Sequence, residues 1–563
     1  MSHSEKSLRG LFFLCPILVF FSYHFYFSVN TPQDDEIRTT VSFLLEWIQN
    51  VDFLARIQLL FSSENESRPV FYRIIVVLIY VFSDKINFTF LMFLGNLSMV
   101  FLAYLLSSQI PIQKYSFLAV GTLTTLLFQP QYYFSSFRAD ASIFYFYGIL
   151  FPCLSFYFLL KKTNASIFLA FLFLSFSILN SAVCLFVLPF FIGILIYKKK
   201  YFLFFPASIF TVFGYFLILY NPISGNSSSR LLDGLSINFV KCLHISLTFL
   251  GSFAQIDSKI NLVFLGIVGL GILIVCFYFF YLFFFSKISP TYTDSQLFLI
   301  AFCSHILLVI LLFGFTRWVG DYQNTLTELS LEHSKKMYPM LVLIILLILY
   351  FQNFKSGIVI SSLICSISLL FCIYSYITYT PEVAYNKRLL ILDKHEFLSN
   401  KSLVSIRVSP QNPVVMTAYQ GMINQNLWNF PKTFYDNSYL VNKKEGNFQN
   451  ISLDIKAKTV KNQDIDGITK SFLSIKNETL DYPLGNDFEG IYLVLSNKTS
   501  EYFLPTLALP NSKMAFIKTG KQFRKGFYTE FQNVYPAGQY QIGLWIYDGK
   551  KSFKLWTNSK VIL

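Results

Sequence analysis

Charged side chains are scarce in this chain. Asp, Glu, Lys and Arg make up 13% of its 563 residues, whereas 54% of the residues are hydrophobic, including 66 Phe and 35 Tyr. That composition excludes a soluble globular protein, and apolar runs of about 20 residues recur along the sequence. The sequence therefore predicts a polytopic membrane protein whose aromatic residues occupy lipid-facing and interfacial positions.

Cysteine is also sparse and shows no pattern. The 8 cysteines all lie in or beside apolar runs, none forms a C-x-x-C pair, and none lies beyond Thr380. This distribution argues against a disulfide framework and against a thiolate zinc site. We expect the cysteines to be buried by packing.

Several functional motifs are missing as well. The sequence has no evident P-loop, G-x-G-x-x-G or G-x-S-x-G pattern, which argues against a nucleotide-driven pump and an α/β-hydrolase. The net charge is +14, but no nucleic-acid recognition motif accompanies it. Because the basic residues cluster at membrane flanks and in the tail, we expect the membrane, and no nucleic acid, to be the partner.

Apolar runs are what the chain has in abundance. The first run follows Lys6 and Arg9 and lacks a small-x-small cleavage site, so it is predicted to be an uncleaved anchor with a cytoplasmic N-terminus. If Lys161-Lys162 and the triple lysine at 198–200 lie inside, about eleven spans alternate across the membrane. These spans are Leu8–Val29, Ile86–Leu106, Tyr115–Tyr132, Ala141–Leu160, Ile167–Leu179, Ala182–Tyr197, Phe202–Tyr220, Leu262–Phe285, Gln296–Phe315, Met340–Phe351 and Ile358–Tyr379.

Three apolar segments are predicted to lie on the membrane surface. In the first outer loop (residues 30–85), Ile37–Leu59 has apolar residues at helical spacing, and Val70–Phe82 is too short to span. Ile237–Ile256 contains Lys241, His244 and Gln255 and is predicted to be a surface or half-inserted helix. The predicted transmembrane module therefore comprises residues 1–380, with surface helices on its outer face.

The composition changes from about Pro381 onward. Short alternating stretches separated by Asn, Gly and Pro predict strands at Ile451–Ile455, Ile491–Leu495, Tyr502–Leu507 and Tyr540–Tyr547. Residues 381–563 are therefore predicted to form a soluble β-sandwich outside the membrane. The predicted fold class is an all-α polytopic membrane protein with a C-terminal extracytoplasmic β-sandwich.

An acidic run follows the first span directly. Asp34, Asp35 and Glu36 occur there, and Glu64 and Glu66 lie in a polar turn of the same outer loop. Carboxylates beside a membrane are costly unless they pair with cations, bind a metal or take part in chemistry. They could act as a general base on an acceptor hydroxyl or amine, hold a divalent cation that bridges a lipid phosphate, or form a solvated topogenic loop. The residues alone leave these alternatives open.

Basic side chains on the same predicted outer face are candidates for phosphate binding. Arg138 would bind a phosphate oxygen while Asp140 orients it, unless the two simply form an ion pair at a helix start. His333 has no second histidine at ligand spacing, so we do not expect it to bind a metal. The remaining cations suit a phosphate leaving group, with interfacial snorkelling as the alternative. The predicted substrate- and phosphate-binding residues are Glu64, Glu66, Arg68, Arg138, Asp140, Arg317, His333, Lys335 and Lys336.

This arrangement of an uncleaved first span, an acidic motif just outside it, surface helices and many spans resembles the GT-C superfamily of membrane glycosyltransferases. The superfamily includes protein O-mannosyltransferases and the aminoarabinose transferases that modify lipid A. In that family the first outer loop carries the catalytic aspartate, which corresponds here to Asp34 or Asp35. The turn from Glu64 to Arg68 is similar to an Asn-Glu-His-Arg turn, with Ser67 in place of histidine. The resemblance covers about Leu8–Tyr379.

The resemblance implies an inverting transfer of a sugar from a polyprenyl-phosphate donor to a lipid, glycan or protein acceptor on the outer face. Asp34 or Asp35 would be the base, and Arg138 with the basic loop ending at Lys336 would hold the phosphate. Some family members use a divalent cation and others do not, so a metal at Asp34 and Asp35 remains open. The implied location is the inner or cytoplasmic membrane, with the C-terminal domain extracytoplasmic.

Two other functional classes remain open from the sequence. A polysaccharide polymerase, ligase or flippase-like transporter would need no aspartate base. The scarcity of charges within the spans and the absence of a clear inverted repeat count against a transporter. A non-catalytic membrane scaffold that displays the C-terminal domain is the third possibility.

Overall fold

The structure is a computed structural model of the chain. It describes residues 3–33, 35–62, 69–113, 115–161, 163–180, 182–218, 239–255, 261–285, 293–316, 335–354, 357–405, 413–429, 451–461, 469–483, 489–532, 535–548 and 552–563. The described residues are mostly helical (69%). It divides into two compact units: the first comprises Met1–Tyr26, Glu46–Ser83 and Phe90–Tyr379, and the second comprises Phe27–Leu45, Asp84–Thr89 and Thr380–Leu563.

Long apolar helices dominate the chain. Among the described residues, six helices are long and apolar enough to cross a membrane, and six shorter apolar helices accompany them. These features indicate a membrane protein. The described α-helices of seven or more residues are His3–Phe27, Phe43–Gln49, Phe53–Leu60, Val70–Ser83, Phe88–Ser108, Ser116–Leu127, Gly148–Leu159, Asn164–Asn180, Leu188–Tyr197, Phe204–Ile218, Phe239–Leu250, Leu262–Phe285, Asp294–Thr316, Met337–Asn353, Ile358–Asn400, Pro413–Asn424 and Lys513–Thr519.

The helix predicted over Ile37–Leu59 is interrupted. A π-helical turn covers Ile37–Ser42, and helices cover Phe43–Gln49 and Phe53–Leu60. The break occurs at Asp52, which has extended backbone angles and whose carboxylate accepts from the Ala55 N–H at 3.0 Å. Aspartate is a favoured N-cap, so the chain starts a new helix there instead of continuing the old one.

The segment predicted as a surface or half-inserted helix packs between two long helices of the first unit. A Cβ at Gly251 would lie 1.9 Å from Leu265 O, and a Cβ at Gly314 would lie 2.1 Å from Ser246 Oγ. Backbones therefore approach closely on both sides of Phe239–Leu250, as small residues allow in membrane helix bundles. The periodicity of this segment reflects contact with other helices, which a single sequence does not distinguish from contact with a membrane surface.

Polar side chains join several helices at one end of the first unit. Gln352 Nε2 donates to Ser295 Oγ at 2.7 Å and to Gln109 O at 2.8 Å. Lys198 forms an ion pair with Asp294, the residue before Ser295. Four helices that are distant in sequence therefore end beside one another.

The second unit contains two antiparallel sheets, each of four strands within the described residues. The strands are β1 (Asp454–Lys461), β2 (Thr469–Asn477), β3 (Gly490–Ser496), β4 (Glu501–Pro505), β5 (Leu507–Pro510), β6 (Phe523–Gln532), β7 (Gln539–Tyr547) and β8 (Ser552–Ile562). The strand orders of the two sheets are β1-β2-β6-β5 and β4-β3-β7-β8. The predicted stretches Ile491–Leu495 and Tyr540–Tyr547 lie within β3 and β7.

The central strands β3 and β7 are buried on both faces. On one face, Leu493 lies opposite Leu504 and Leu544 in a cluster that includes residues of both sheets. On the other face, Tyr492 and Trp545 belong to a second buried cluster, described below. Burial on both faces explains why β3 reads as an almost continuous apolar run.

The second cluster recruits residues from outside the strands. Val29, from the predicted first outer loop, is 5% exposed and packs with Leu390 and with residues of β3, β4 and β7. Leu390 belongs to helix Ile358–Asn400, whose apolar stretch ends near Tyr379 and whose remainder, from Thr380, belongs to the second unit. The predicted span ends at Tyr379, and the helix continues for 21 residues beyond it. These additional residues cover the sheet.

Candidate functional site

The predicted site residues fall into three groups. Asp35 belongs to the second unit, whereas Arg138, Asp140, Lys335 and Lys336 belong to the first, and each group is described by itself. The remaining predicted residues lie outside the described part of the chain: Asp34, Glu64, Glu66, Arg68, Arg317 and His333.

Arg138 and Asp140 form a buried bidentate ion pair in the first unit. Arg138 Nε lies 3.1 Å from Asp140 Oδ1, and Arg138 Nη2 lies 2.8 Å from Asp140 Oδ2. The guanidinium also lies over the Phe134 ring, 4.8 Å from its centre. Asp140 Oδ1 accepts from the Ala141 N–H at 2.6 Å, at the start of a helical segment. The pair fixes the direction of Arg138, as both sequence alternatives require.

Lys335 and Lys336 are buried at the start of helix Met337–Asn353. Their side chains are 1% and 0% exposed, and Lys336 occupies the N-cap position. The Lys335 ammonium lies 5.1 Å from the centre of the Phe313 ring. Two cations therefore stand where the helix dipole is itself positive, an arrangement that favours a bound anion.

Lys336 belongs to a group of polar side chains that we call the Lys336 cluster: Gln131, Gln255, Lys336 and Tyr379. Lys336 Nζ lies 3.4 Å from Gln255 Oε1 and 5.9 Å from the centre of the Tyr379 ring. Gln131 Nε2 and Tyr379 Oη both lie 3.1 Å from the Gln255 carbonyl oxygen. Amide and phenol groups beside a cation can bind sugar hydroxyls and a phosphate together.

Sequence reasoning missed the other members of the Lys336 cluster. Gln131, Gln255 and Tyr379 are neutral residues near the ends of predicted apolar segments, where such residues are common. The one available signal was their position on the same predicted outer face as Lys336.

We call residues 33–36 the acidic loop, of which the structure describes Gln33, Asp35 and Glu36, in the second unit. The Gln33 N–H donates to Glu36 Oε2, and the Glu36 N–H donates to Gln33 O, both at 2.7 Å. Glu36 is 0% exposed, whereas Asp35 is exposed. Glu36 therefore links Gln33 to the start of the following helical turn, whereas the Asp35 side chain is exposed.

Two further carboxylates are buried in the second unit, beyond the apolar stretch of helix Ile358–Asn400. Asp393 Oδ1 accepts from the Ser405 N–H at 2.9 Å, and Asp393 Oδ2 accepts from the Ser405 hydroxyl. Glu396 accepts from the Phe503 N–H and from Asn400 Nδ2, each at 2.8 Å. Burial raises the pKa of both Asp393 and Glu396 to about 7. The hydrogen bonds that the two carboxylates accept lower the pKa, but burial has the larger effect.

The described residues contain no group of three or more His, Cys, Asp or Glu side chains that could hold a metal ion. Asp34 is not among those residues, so the divalent cation considered for Asp34 and Asp35 stays a prediction. In comparisons with known proteins, no family model, no curated protein and no solved structure matches this chain.

Proposed function

We propose that the chain is a membrane glycosyltransferase that moves a sugar from a polyprenyl-phosphate donor to a lipid, glycan or protein acceptor, with inversion. The observation that carries this proposal is the pair of buried cations, Lys335 and Lys336, at a helix start within an apolar helical unit. A polyprenyl phosphate combines a membrane-soluble chain with an anionic head, and it therefore suits a cationic site in such a unit.

The Lys336 cluster supports a sugar-bearing phosphate over a simple anion. The Gln255 side chain contacts the ammonium, and the Gln131 amide and the Tyr379 phenol both donate to the Gln255 carbonyl oxygen. These groups match the hydroxyl groups of a sugar, whereas the ammonium matches the phosphate. Arg138, whose direction Asp140 fixes, is a second phosphate-binding candidate in the same unit.

The proposed reaction needs a base and a stabilised leaving group. An acceptor hydroxyl or amine attacks the anomeric carbon of the sugar, and the bond between that carbon and the phosphate oxygen breaks. Asp34 or Asp35 takes the acceptor proton, as the sequence predicts, and polyprenyl phosphate leaves with its charge stabilised by lysine. Exposure of the Asp35 carboxylate is compatible with the role of base.

We further propose the eleven-span topology for the first unit, with the N-terminus cytoplasmic. Gln109, Lys198, Asp294 and Gln352, which this topology assigns to the cytoplasmic side, are joined by hydrogen bonds or ion pairs. The residues of the Lys336 cluster, assigned to the opposite side, also contact one another. For the second unit we propose an extracytoplasmic β-sandwich, because the two sheets share one hydrophobic cluster.

The test is release of polyprenyl phosphate by the purified full chain in detergent. The probes are polyprenyl-phosphate-linked hexoses, pentoses and amino-pentoses, each with and without candidate acceptors. We expect acceptor-dependent release with at least one donor, and loss of release in Asp34→Asn or Asp35→Asn. Asp481→Asn, which removes an exposed carboxylate paired with Lys525, is the matched control and should retain activity.

Two results would contradict the proposal. Full activity in both Asp34→Asn and Asp35→Asn would show that neither aspartate is the base. Absence of release from every donor, together with uptake of a lipid-linked glycan into vesicles that contain the protein, would favour the transporter class.

A further inference from the structure

Both ends of the predicted first outer loop belong to the same folded unit as the C-terminal region. Phe27–Leu45, Asp84–Thr89 and Thr380–Leu563 cluster together, although several hundred residues separate them in the sequence. The acidic loop lies in the first of these segments. Contacts on two sides of that loop connect it to the C-terminal region.

The first set of contacts involves Asn30 and Trp428. The Trp428 indole N–H donates to Asn30 O at 2.6 Å, and Asn30 Nδ2 donates to Asn429 O at 3.1 Å. Asn30 Oδ1 in turn accepts from the Phe88 N–H at 2.8 Å. Asn30 lies three residues before Gln33, so these bonds fix the chain where the acidic loop begins.

The segment Asp84–Thr89 strengthens the same connection. Ile86 forms a parallel β-bridge with Trp428, and its N–H donates to Leu427 O at 2.7 Å. Lys85 Nζ lies 2.8 Å from Asn429 Oδ1. Both ends of the first outer loop therefore bind residues 427–429.

A second set of contacts comes from the remainder of helix Ile358–Asn400 and from helix Pro413–Asn424. Asn386 Nδ2 donates to Gln33 Oε1 at 3.3 Å, and the Lys387 ammonium lies 5.7 Å from the centre of the Phe27 ring. A Cβ at Gly421 would lie 3.0 Å from Leu45 Cδ1, so helix Pro413–Asn424 packs closely on the end of the segment. The C-terminal region therefore contacts Asn30 before the acidic loop, Gln33 within it and Leu45 after it.

We propose that Trp428 and Asn386 are positioning residues for the acidic loop, so that the C-terminal region is a structural part of the catalytic machinery. The inference rests on the proposed function only for its catalytic half, since the contacts themselves are independent of any activity. Displacement of a reacting group by about 1 Å can lower a rate about 100-fold. Loss of the Trp428 indole donor would release the loop where it begins and would act on Asp35 through the backbone.

The test compares Trp428→Phe with Trp556→Phe in the full-length protein. Trp428→Phe keeps an aromatic ring but removes the N–H donor, and Trp556, in β8, is a half-buried tryptophan of the same unit. Hydrogen–deuterium exchange is measured on peptides that cover residues 31–39, and kcat and KM for release of polyprenyl phosphate are measured on the same samples. Asn386→Leu tests the contact with Gln33.

We expect Trp428→Phe to speed exchange across residues 31–39 and to lower kcat about 10- to 100-fold, with KM for the donor changed less than about twofold. Asn386→Leu should have a smaller effect in the same direction, and Trp556→Phe should leave the loop unchanged. Unchanged exchange in Trp428→Phe would overturn the proposal, as would faster exchange with unaltered kcat. If the wild-type chain releases no polyprenyl phosphate, the proposed function is wrong, whereas the exchange data still decide whether the C-terminal region holds the loop.

Discussion

Asp393 and Glu396 of the second unit and Lys336 of the first unit are buried charged groups that make different kinds of contact. In the second unit, Asp393 and Glu396 accept hydrogen bonds from backbone N–H groups of Ser405 and Phe503. In the first unit, the Lys336 ammonium instead contacts the neutral amide of Gln255 at a long 3.4 Å and faces the Tyr379 ring. The carboxylates connect segments of the backbone, whereas the lysine contacts side chains.

We call a buried charge that is hydrogen-bonded to the backbone an architectural charge, and a buried charge that contacts side chains and is proposed to bind substrate a binding charge. A carboxylate that satisfies backbone donors cannot be removed without leaving those donors buried and unbonded. An ammonium beside an amide and a ring can exchange such contacts for a phosphate with little change in the backbone. We therefore expect substitutions of Glu396 to affect stability and substitutions of Lys336 to affect activity.

The largest expected effect is that of Lys336→Gln on transfer. The substitution removes the charge that we propose stabilises the leaving phosphate, so kcat for release of polyprenyl phosphate should fall about 100- to 1,000-fold. The thermal unfolding midpoint should stay within a few degrees of the wild type, because removal of a buried cation from a helix N-terminus relieves an unfavourable dipole interaction. Lys336→Arg, which keeps the charge, is the control and should retain more activity.

If Lys336→Gln unfolds easily while its folded fraction keeps the wild-type kcat, the proposed difference between Lys336 and Glu396 is wrong. In that case Lys336 would be an architectural charge like Glu396.

The next effect is loss of stability in Glu396→Ala. The Phe503 N–H and the Asn400 side chain lose their acceptor in a buried site, so unfolding should become easier by about 2–4 kcal/mol. Tryptophan fluorescence during denaturation reports this change, because Trp428, Trp545 and Trp556 all lie in the second unit. Asp481→Ala, at an exposed carboxylate, is the matched control and should leave the midpoint unchanged. A stable Glu396→Ala protein would contradict the architectural role.

The third expected effect is pH dependence of the second unit. The pKa values of Asp393 and Glu396 are raised to about 7, well above the ordinary values of these side chains, so the folded state binds more protons than the unfolded state between about pH 4 and 7. Stability should therefore fall as pH rises through that window, by about 1–3 kcal/mol per group, and level off above it. Denaturation midpoints measured from pH 4 to 8 give the slope of stability against pH. Glu396→Gln keeps a neutral side chain and should reduce the slope, whereas an equal slope in this variant would assign the pH dependence to other groups.

The smallest expected effect concerns Asp140→Asn. The amide keeps the shape of the carboxylate but holds Arg138 less firmly, so donor release should slow only about three- to tenfold. The kinetic parameters of this variant measure whether Arg138 belongs with the binding charges. A loss as large as that of Lys336→Gln would instead place Asp140 itself at the reacting atoms.

Local patterns predicted part of the fold. The run Leu262–Phe285 is a helix with those bounds, and the stretch Ile491–Leu495 lies within β3, because hydrophobic length and alternation follow directly from the local sequence. The packing of Phe239–Leu250 against two longer helices was not predicted, since apolar residues at helical spacing are expected both for contact with other helices and for contact with a membrane surface.

Long-range contacts left no such signal. Asn30 and Trp428 are 398 residues apart, and nothing in either neighbourhood indicates the other. Asp393 and Glu396 lie among Lys394, His395 and other polar residues that are typical of a solvated helix, so their burial was not expected. The sequence singled out Lys336 and Asp35 through charge near a membrane, but it missed the neutral Gln131 and Gln255, whose contribution depends on their partners.

The bond between Trp428 and Asn30 also sets an order of events during synthesis. Ribosomes add about 5–20 residues per second, so the stretch of chain that separates these residues takes about 20–80 s to make. In the topology that we propose, the acidic loop has crossed the membrane throughout that interval without the residues that hold it. Under the proposed function, a chain truncated before Trp428 would therefore insert in the membrane but would not transfer sugar until the C-terminal region is present and folded.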